Sequence, residues 1–372
     1  MIFLSAFIFS LLISWGLIKV TQKHGWVSRP KGDRWNARTV SLHGGIGIGL
    51  SFILCFLFWK LTSSTELEIL LVCMPLMMML VGLYDDIFQL MPAPKLLSQI
   101  SVAIIAIATD IDFAFLAYEP LNWALTLLWI VGITNALNLL DNMDGASPGI
   151  AFLCVLSLCL LPWNPTPWLT DIALILAGSI LGFLVFNFHP AKIFMGDSGS
   201  LFLGNLISLM LIQFSRSISP EIQHTFLQIP SALIIPVLLI IVPIIDTTYV
   251  SFNRFYNGFP ISQGDKGHIT HRLSFLFQSD WLSVLILYAY QLLICIVVAS
   301  YQWTLFYPIF LLTVWMLYKL TKKTNAFVWP EKYVTSLEAR TSHRYLFLKR
   351  HSILYRLFRL NSTPIAALKK RL

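Results

Sequence analysis

Hydrophobic residues in this chain come in long unbroken runs, neither alternating nor confined to one helical stripe. The runs lie near 1–20, 43–60, 67–83, 96–111, 121–138, 148–163, 170–187, 199–214, 226–250, 281–300 and 304–319. A helix needs ~20 predominantly apolar residues to cross the hydrocarbon of a bilayer. A segment apolar all round belongs in lipid or in a deep core. The pattern predicts eleven spanning helices, or ten if the short, polar-ended 96–111 run does not cross. The first run has neither a basic leader nor a small-residue cleavage site, so it reads as a span and not as a signal peptide. The expected fold class is an all-α, polytopic membrane helix bundle with about 10–11 transmembrane helices.

Composition agrees. Of 372 residues 57% are hydrophobic and 12% charged, where a soluble domain carries about 25% charged residues. The five cysteines all fall in apolar runs without a CxxC pair, which suggests neither a disulfide framework nor a zinc site. Charge then orients the bundle. When the connections are assigned alternately to two sides, one side, with its span ends, receives 24 of the 26 Lys and Arg residues; the other has Lys60 and Arg216. By the positive-inside rule the first side is cytoplasmic, with the N-terminus outside and the C-terminus inside. Half of the basic residues, 13 of 26, lie in 319–372. The chain is therefore expected to divide into a transmembrane domain, 1–319, and a basic cytoplasmic tail, 320–372. The tail's charge suits anionic lipid headgroups, and with no recognition motif beside it no nucleic-acid partner is expected. Within the tail, 345–360 interleaves apolar and basic residues with helical period, as in a helix lying on the membrane surface; a poorly ordered basic tail is the alternative.

The remaining polar residues cluster at span ends on the cytoplasmic side. Asp85 and Asp86 end the third span in GLYDDIFQL, and Asp141 and Asp144 follow the fifth in NLLDNMDG. Asp197 opens the eighth in FMGDSGS; Asp246 lies near the inner end of the ninth, ahead of GDKGHITHR with Asp265, His268, His271 and Arg272. Each has a plain structural reading: a solvated helix end, a polar helix end, small residues for helix packing, incidental loop histidines. Each also has a chemical one. Two adjacent carboxylates at a helix C-terminus oppose the macrodipole and call for a cation, and each raises the other's pKa. Asn138, Asp141 and Asp144, spaced three apart, put oxygen donors on one helical face, which suits a hard cation such as Mg²⁺. The N–H groups that open the GDSGS helix can cradle phosphate. Two histidines and an arginine suit a pyrophosphate better than they suit zinc. Together these groups describe phosphoryl transfer at the inner membrane face, in a cleft where a water-soluble activated donor meets a phosphorylated lipid. A transporter is the competing class, and it would need ionisable residues at mid-span.

At these residues the sequence resembles the polyprenyl-phosphate N-acetylhexosamine-1-phosphate transferases. The resemblance rests on GLYDDIFQLMPAPKLLSQI (82–100), NALNLLDNMDGASPGIA (135–151), FMGDSGSLFLG (194–204), PIIDTTYVSFNRFYNGFPISQGDKGHITHRL (243–273) and the weaker PKGDRWNARTVSLHGGIGI (30–48), in family order. It implies a multi-pass protein of the bacterial inner membrane that moves an N-acetylhexosamine 1-phosphate, GlcNAc foremost, from a UDP-sugar to undecaprenyl phosphate and releases UMP, for surface polysaccharide such as O-antigen. It implies Mg²⁺, with Mn²⁺ as an alternative, nearest Asn138 and Asp197. It places Asp85, Asp86 and Lys95 at the lipid phosphate, and Asp141 and Asp144 around the nucleotide. Phe194 would stack on uracil, and Arg254, His268, His271 and Arg272 would hold the diphosphate and sugar. A homodimer is allowed. The chain departs from the family pattern at Thr270, where HxHHR has histidine, and at Asn36 and Thr39, where RWH and a proline are usual. The phospho-MurNAc-pentapeptide branch typically has three consecutive histidines in the last loop; HITHR differs, which favours a HexNAc donor over that alternative.

Overall fold

Each apolar run of the sequence contains a helix in the computed structural model, which describes residues 1–28, 39–62, 69–161, 167–217, 225–226, 229–256, 267–300 and 306–328. The helices are α1 (Ile2–His24), α2 (Gly45–Thr62), α3 (Leu70–Phe88), α4 (Pro92–Ala108), α5 (Glu119–Leu140), α6 (Ala146–Leu160), α7 (Pro167–Asn187), α8 (Gly196–Ser217), α9 (Ser231–Leu239), α10 (Ile241–Tyr256), α11 (Ile269–Phe277), α12 (Asp280–Ala299) and α13 (Phe306–Val328). Two short antiparallel hairpins, β1 (Val27–Ser28) with β2 (Val40–Ser41) and β3 (Thr225–Phe226) with β4 (Ile229–Pro230), are the strands among the described residues. Six helices, α1, α3, α5, α7, α8 and α12, are long and apolar enough to cross a membrane, and α9 with α10 counts as a seventh. Helices α2, α4 and α6 are apolar but shorter. Helix α13 runs on to Val328, past residue 319; residues 329–372, with the expected amphipathic segment, lie outside the described residues.

Helix α8 is the axis of the bundle, with 94% of its apolar window buried. Leu201, Phe202, Leu203, Leu206, Leu209, Leu211, Ile212 and Phe214 have no exposed surface. Helices α3 and α5 flank it closely. A Cβ on Gly82 of α3 would lie 2.3 Å from the Asp197 carbonyl oxygen, so only glycine admits this approach of α3 to the first turn of α8. The outer helices turn large apolar side chains outward, among them Phe58, Leu128, Leu311 and Trp315, as a lipid-facing surface requires.

The ninth expected span, 226–250, is corrected. It starts at Ser231 and is two helices, bent by 82° at residue 240. The sequence supplies the cause. Pro243 has no N–H to give the Leu239 carbonyl, and its ring crowds that carbonyl. Gln291 of α12, fully buried, takes over the freed groups. Its Nε2 donates to the Leu239 carbonyl at 3.0 Å and the Leu238 carbonyl at 3.4 Å, and its Oε1 accepts from the Val242 N–H at 3.2 Å. An irregular stretch at membrane depth persists only where protein satisfies its backbone in this way.

Candidate active site

Four helix ends meet at the N-terminus of α8. Gly196 enters the helix at φ +73°, a conformation that favours glycine, and the next residue is Asp197. Asp86, in the last turn of α3, reaches across and accepts from the Asp197 N–H at 2.8 Å and the Ser198 N–H at 3.1 Å. One of the two adjacent acids is thus a cap supplied by another helix, and it stabilises α8 by both hydrogen bonds and dipole. The other, Asp85, accepts from the Leu90 N–H at 2.6 Å and from Lys95 Nζ at 3.0 Å. Lys95, in the first turn of α4, also pairs with Asp197. Asn138, at the end of α5, donates to Asp197 Oδ1 at 3.0 Å and to Ser200 Oγ at 2.7 Å. The structure thus brings Asp85, Lys95, Asp197 and Asn138, four of the expected site residues, into one connected chain. Asp85 and Asp86, both expected on the lipid-phosphate side, have different partners: Asp86 caps α8 and Asp85 holds Lys95.

The 141–145 loop lies beside this chain. Burial, then the charges of Asp197, Asp86 and Asp144, push the Asp141 carboxyl well above the usual carboxylate range. Asp144 accepts from the Ala191 N–H at 3.0 Å and contacts His189 Nδ1 at 3.1 Å. Asn187 accepts from the Gly145 N–H at 3.0 Å and donates to the Ile193 carbonyl at 2.8 Å, which ties this loop to the one entering α8. Tyr288 Oη donates to the Gly145 carbonyl at 2.5 Å from the far side. Phe194 is half-buried. Its N–H donates to the Ser41 carbonyl and its carbonyl accepts from the Gly44 N–H, both at 2.8 Å.

The second predicted cluster joins through Thr270, whose hydroxyl donates to Asn142 Oδ1 at 2.6 Å. Arg254, His268 and His271 are all at least 95% buried, and Arg272 has no exposed surface. Arg272 Nε donates to the Gly267 carbonyl at 2.9 Å and Nη1 to Thr324 Oγ1 at 2.7 Å. The Arg272 guanidinium, expected at the diphosphate, also ties the segment before α11 to α13. Asp265 and Asn36 lie outside the described residues. Sequence reasoning missed Ser200, Asn142, Asn187, His189 and Tyr288. Asn142 and Ser200 sit inside the quoted motifs; Asn187 and Tyr288 lie inside apolar segments that gave no signal.

The donor set tests the fit of a divalent cation. The cluster holds five carboxylates, Asp85, Asp86, Asp141, Asp144 and Asp197, and Lys95 pairs with two of them. The donors are hard oxygens, as Mg²⁺ requires. No three His, Cys, Asp or Glu residues converge into a metal cage among the described residues. Mg²⁺ bound by one or two carboxylates and substrate phosphates needs none, so the residues fit.

An apolar cavity of about 340 Å³ lies between α5 and the bent pair, lined by Phe113, Trp129, Gly132, Leu233, Val237 and Thr247 among others. Its lining follows α5 as far as Ala136, two residues before Asn138.

The family described as Glycosyl transferase family 4 matches residues 68–215, a span that contains Asp85, Asp86, Lys95, Asn138, Asp141, Asp144, Phe194 and Asp197. Similar proteins include a probable undecaprenyl-phosphate N-acetylglucosaminyl 1-phosphate transferase of Bacillus subtilis (strain 168), 33% identical over 330 residues, which are 84% of this chain and 89% of that one. A decaprenyl-phosphate N-acetylglucosaminephosphotransferase of Mycolicibacterium smegmatis is 30% identical over 251 residues, 60% of this chain and 61% of that one. A phospho-N-acetylmuramoyl-pentapeptide-transferase of Bacillus subtilis (strain 168) is 34% identical over 243 residues, 56% of this chain and 73% of that one.

Proposed function

Since the chain belongs to glycosyl transferase family 4, we propose that it transfers N-acetylglucosamine 1-phosphate from UDP-GlcNAc to undecaprenyl phosphate and releases UMP, to start a surface polysaccharide. The observation that carries the reading is the connected chain Asp85–Lys95–Asp197–Asn138 at the end of the most buried helix. That arrangement gathers positive and negative groups at one point, as a phosphoryl transfer needs.

In this reading an oxygen of the lipid phosphate attacks the sugar-linked phosphorus. The bond from that phosphorus to the bridging oxygen breaks, and the electron pair leaves with UMP. Asp197 and Asn138 would hold Mg²⁺, or Mn²⁺, and such an ion supplies charge neutralisation at the diphosphate. Lys95, held between Asp85 and Asp197, orients the lipid phosphate. A phosphate monoester is already anionic near neutral pH, so neither Asp85 nor Asp86 is needed as a strong base. Asp141 and Asp144 border the nucleotide and Phe194 its base, with Arg254, His268 and His271 toward the diphosphate and Arg272 acting from behind them. The cavity beside α5 suits the first isoprene units, because apolar walls run from lipid depth to within a turn of Asn138.

Purified protein should release UMP from UDP-GlcNAc only with both undecaprenyl phosphate and Mg²⁺ present. A well-folded Asp197→Ala protein should release UMP at least about a hundredfold more slowly, the scale of losing a main electrostatic group. Unchanged turnover in that variant would remove Asp197 from the reaction. The muramoyl-pentapeptide relative makes UDP-MurNAc-pentapeptide the second donor to assay; preference for it would replace the GlcNAc reading. Lipid-independent flux of an ion or sugar across vesicles would favour a transporter.

A further inference from the structure

The short segment that precedes and opens α11 is fastened from three directions. Asn142 holds Thr270, Thr324 holds Arg272, and Asp246 holds His268 and Ile269 just ahead of them. The last contact is chemically specific. Asp246 is 1% exposed and His268 5%. One Asp246 oxygen lies 2.7 Å from His268 Nδ1, and the other accepts from the Ile269 N–H at 2.7 Å.

A carboxylate has no hydrogen to give, so this contact places the ring hydrogen on Nδ1. The second oxygen prevents the carboxylate from swinging, because its partner is the backbone of the very next residue. His268 also precedes the first turn of α11, so Asp246 satisfies an end N–H of that helix as well. Ring and helix start are thus set by one side chain, and Nε2 is the nitrogen left for a ligand.

We propose that Asp246 is a positioning residue for His268: it fixes the ring with Nδ1–H toward α10 and Nε2 toward the substrate's diphosphate. This rests on the function proposed above. The same carboxylate balances the ring when Nε2–H is given to a phosphate oxygen, a charge-assisted bond stronger than a neutral one. Asp246 lies in the second turn of α10, just past its 82° bend against α9, and from there reaches the start of α11.

A double-mutant cycle tests this, read both in UMP release and in affinity for UDP as the diphosphate probe. Asp246→Asn keeps the shape and can still accept from the Ile269 N–H, but it turns an N–H₂ toward Nδ1 and reverses the tautomer. We expect it to lower turnover about 10–100-fold, the scale seen when a carboxylate behind a functional histidine is lost. His268→Ala should lose as much or more, and the double variant no more than His268→Ala alone. Additive losses would overturn the proposal, since a merely structural Asp246 would act independently of the ring. His268→Asn is the second variant, useful if Asp246→Asn does not fold. Its amide can still donate to Asp246 near the Nδ1 position but offers nothing at Nε2. It should melt near the wild-type midpoint and turn over as slowly as His268→Ala; wild-type turnover would overturn the proposal. Thr270→Val, which removes a fastening without touching the ring, should combine additively with Asp246→Asn. Absence of UMP release from the wild-type protein would count against the transferase reading alone, and the cycle in UDP affinity would still decide the role of Asp246.

Discussion

Asp141 is the acid whose surroundings most oppose its charge. Burial comes first, followed by Asp197, Asp86 and Asp144. A carboxyl raised in the folded protein retains a proton that the unfolded chain has released, so stability falls as pH rises. The penalty is absent below the ordinary carboxylate value of about 3.9 and complete above the raised value. We therefore expect metal-free Asp141→Asn protein to melt a few degrees above wild type at pH 7. The gap should shrink as the pH is lowered toward 4. Mg²⁺ should narrow it at pH 7 by stabilising the wild type, while Asp141→Asn turns over more slowly. Equal melting midpoints for the two proteins at pH 7 without metal would mean that Asp141 has found compensation within the chain. The site residues were legible in the sequence because acids and amides bordering lipid-length apolar runs need a reason to be there. How they divide the work was not. That Asp86 caps α8 while Asp85 holds Lys95 depends on which helix each carboxylate faces. Two adjacent letters carry no such information.

At the scale of elements, the apolar runs gave the helices directly because a run apolar on all sides has few other destinations. The break between α9 and α10 was not read, although Pro236 and Pro243 stand in that run. A proline predicts a lost hydrogen bond; it does not predict an 82° turn, which depends on whatever receives the freed groups. Here that is Gln291, a lone amide within the apolar run of α12. Its replacement by leucine should leave the Val242 N–H and the Leu239 carbonyl buried without their partner, at a cost of about 1–3 kcal/mol for each group. We expect Gln291→Leu to lower the melting midpoint in detergent and to slow turnover by moving Asp246. Gln291→Glu, which keeps the acceptor for Val242, should be milder in turnover at a pH where it is protonated. An unchanged midpoint in Gln291→Leu would show that α9 and α10 hold their angle without the amide. Helices α8 and α11 share a further device. The start of α8 is capped by an acid from α3, and that of α11 by an acid from α10. Each cap ties the position of one helix to another, so the site forms only when the bundle does.

The whole molecule is asymmetric along its axis, and we propose that this asymmetry decides which face of the membrane holds the site. At the site end Lys19 lies over Trp15 at 3.6 Å, Lys319 over Trp315 at 5.5 Å and Lys322 over Tyr318 at 4.9 Å. Each pair puts a cation over an aromatic ring near the end of its helix, the arrangement found at membrane interfaces. Both helices lead to the site: α1 through Trp26, whose ring meets His43 edge-on, and α13 through Thr324 on Arg272. Lys95 and Lys192 add to the same end. The opposite end carries Lys60 and Arg216, and Arg216 is paired with Asp112 at 2.6 Å. Basic charge therefore gathers at the site end, which under the positive-inside rule would face the cytoplasm, the side from which the proposed nucleotide-sugar donor would come. Two proteins with one added cysteine each test this, made in a Cys73→Ser background because Cys73 is the exposed native thiol among the described residues. Lys192→Cys, exposed at the site end, should resist a membrane-impermeant maleimide in intact cells and react in inverted vesicles. Glu119→Cys, exposed at the start of α5, should do the reverse. Labelling of Lys192→Cys from outside would turn the bundle over and separate the site from any cytoplasmic donor.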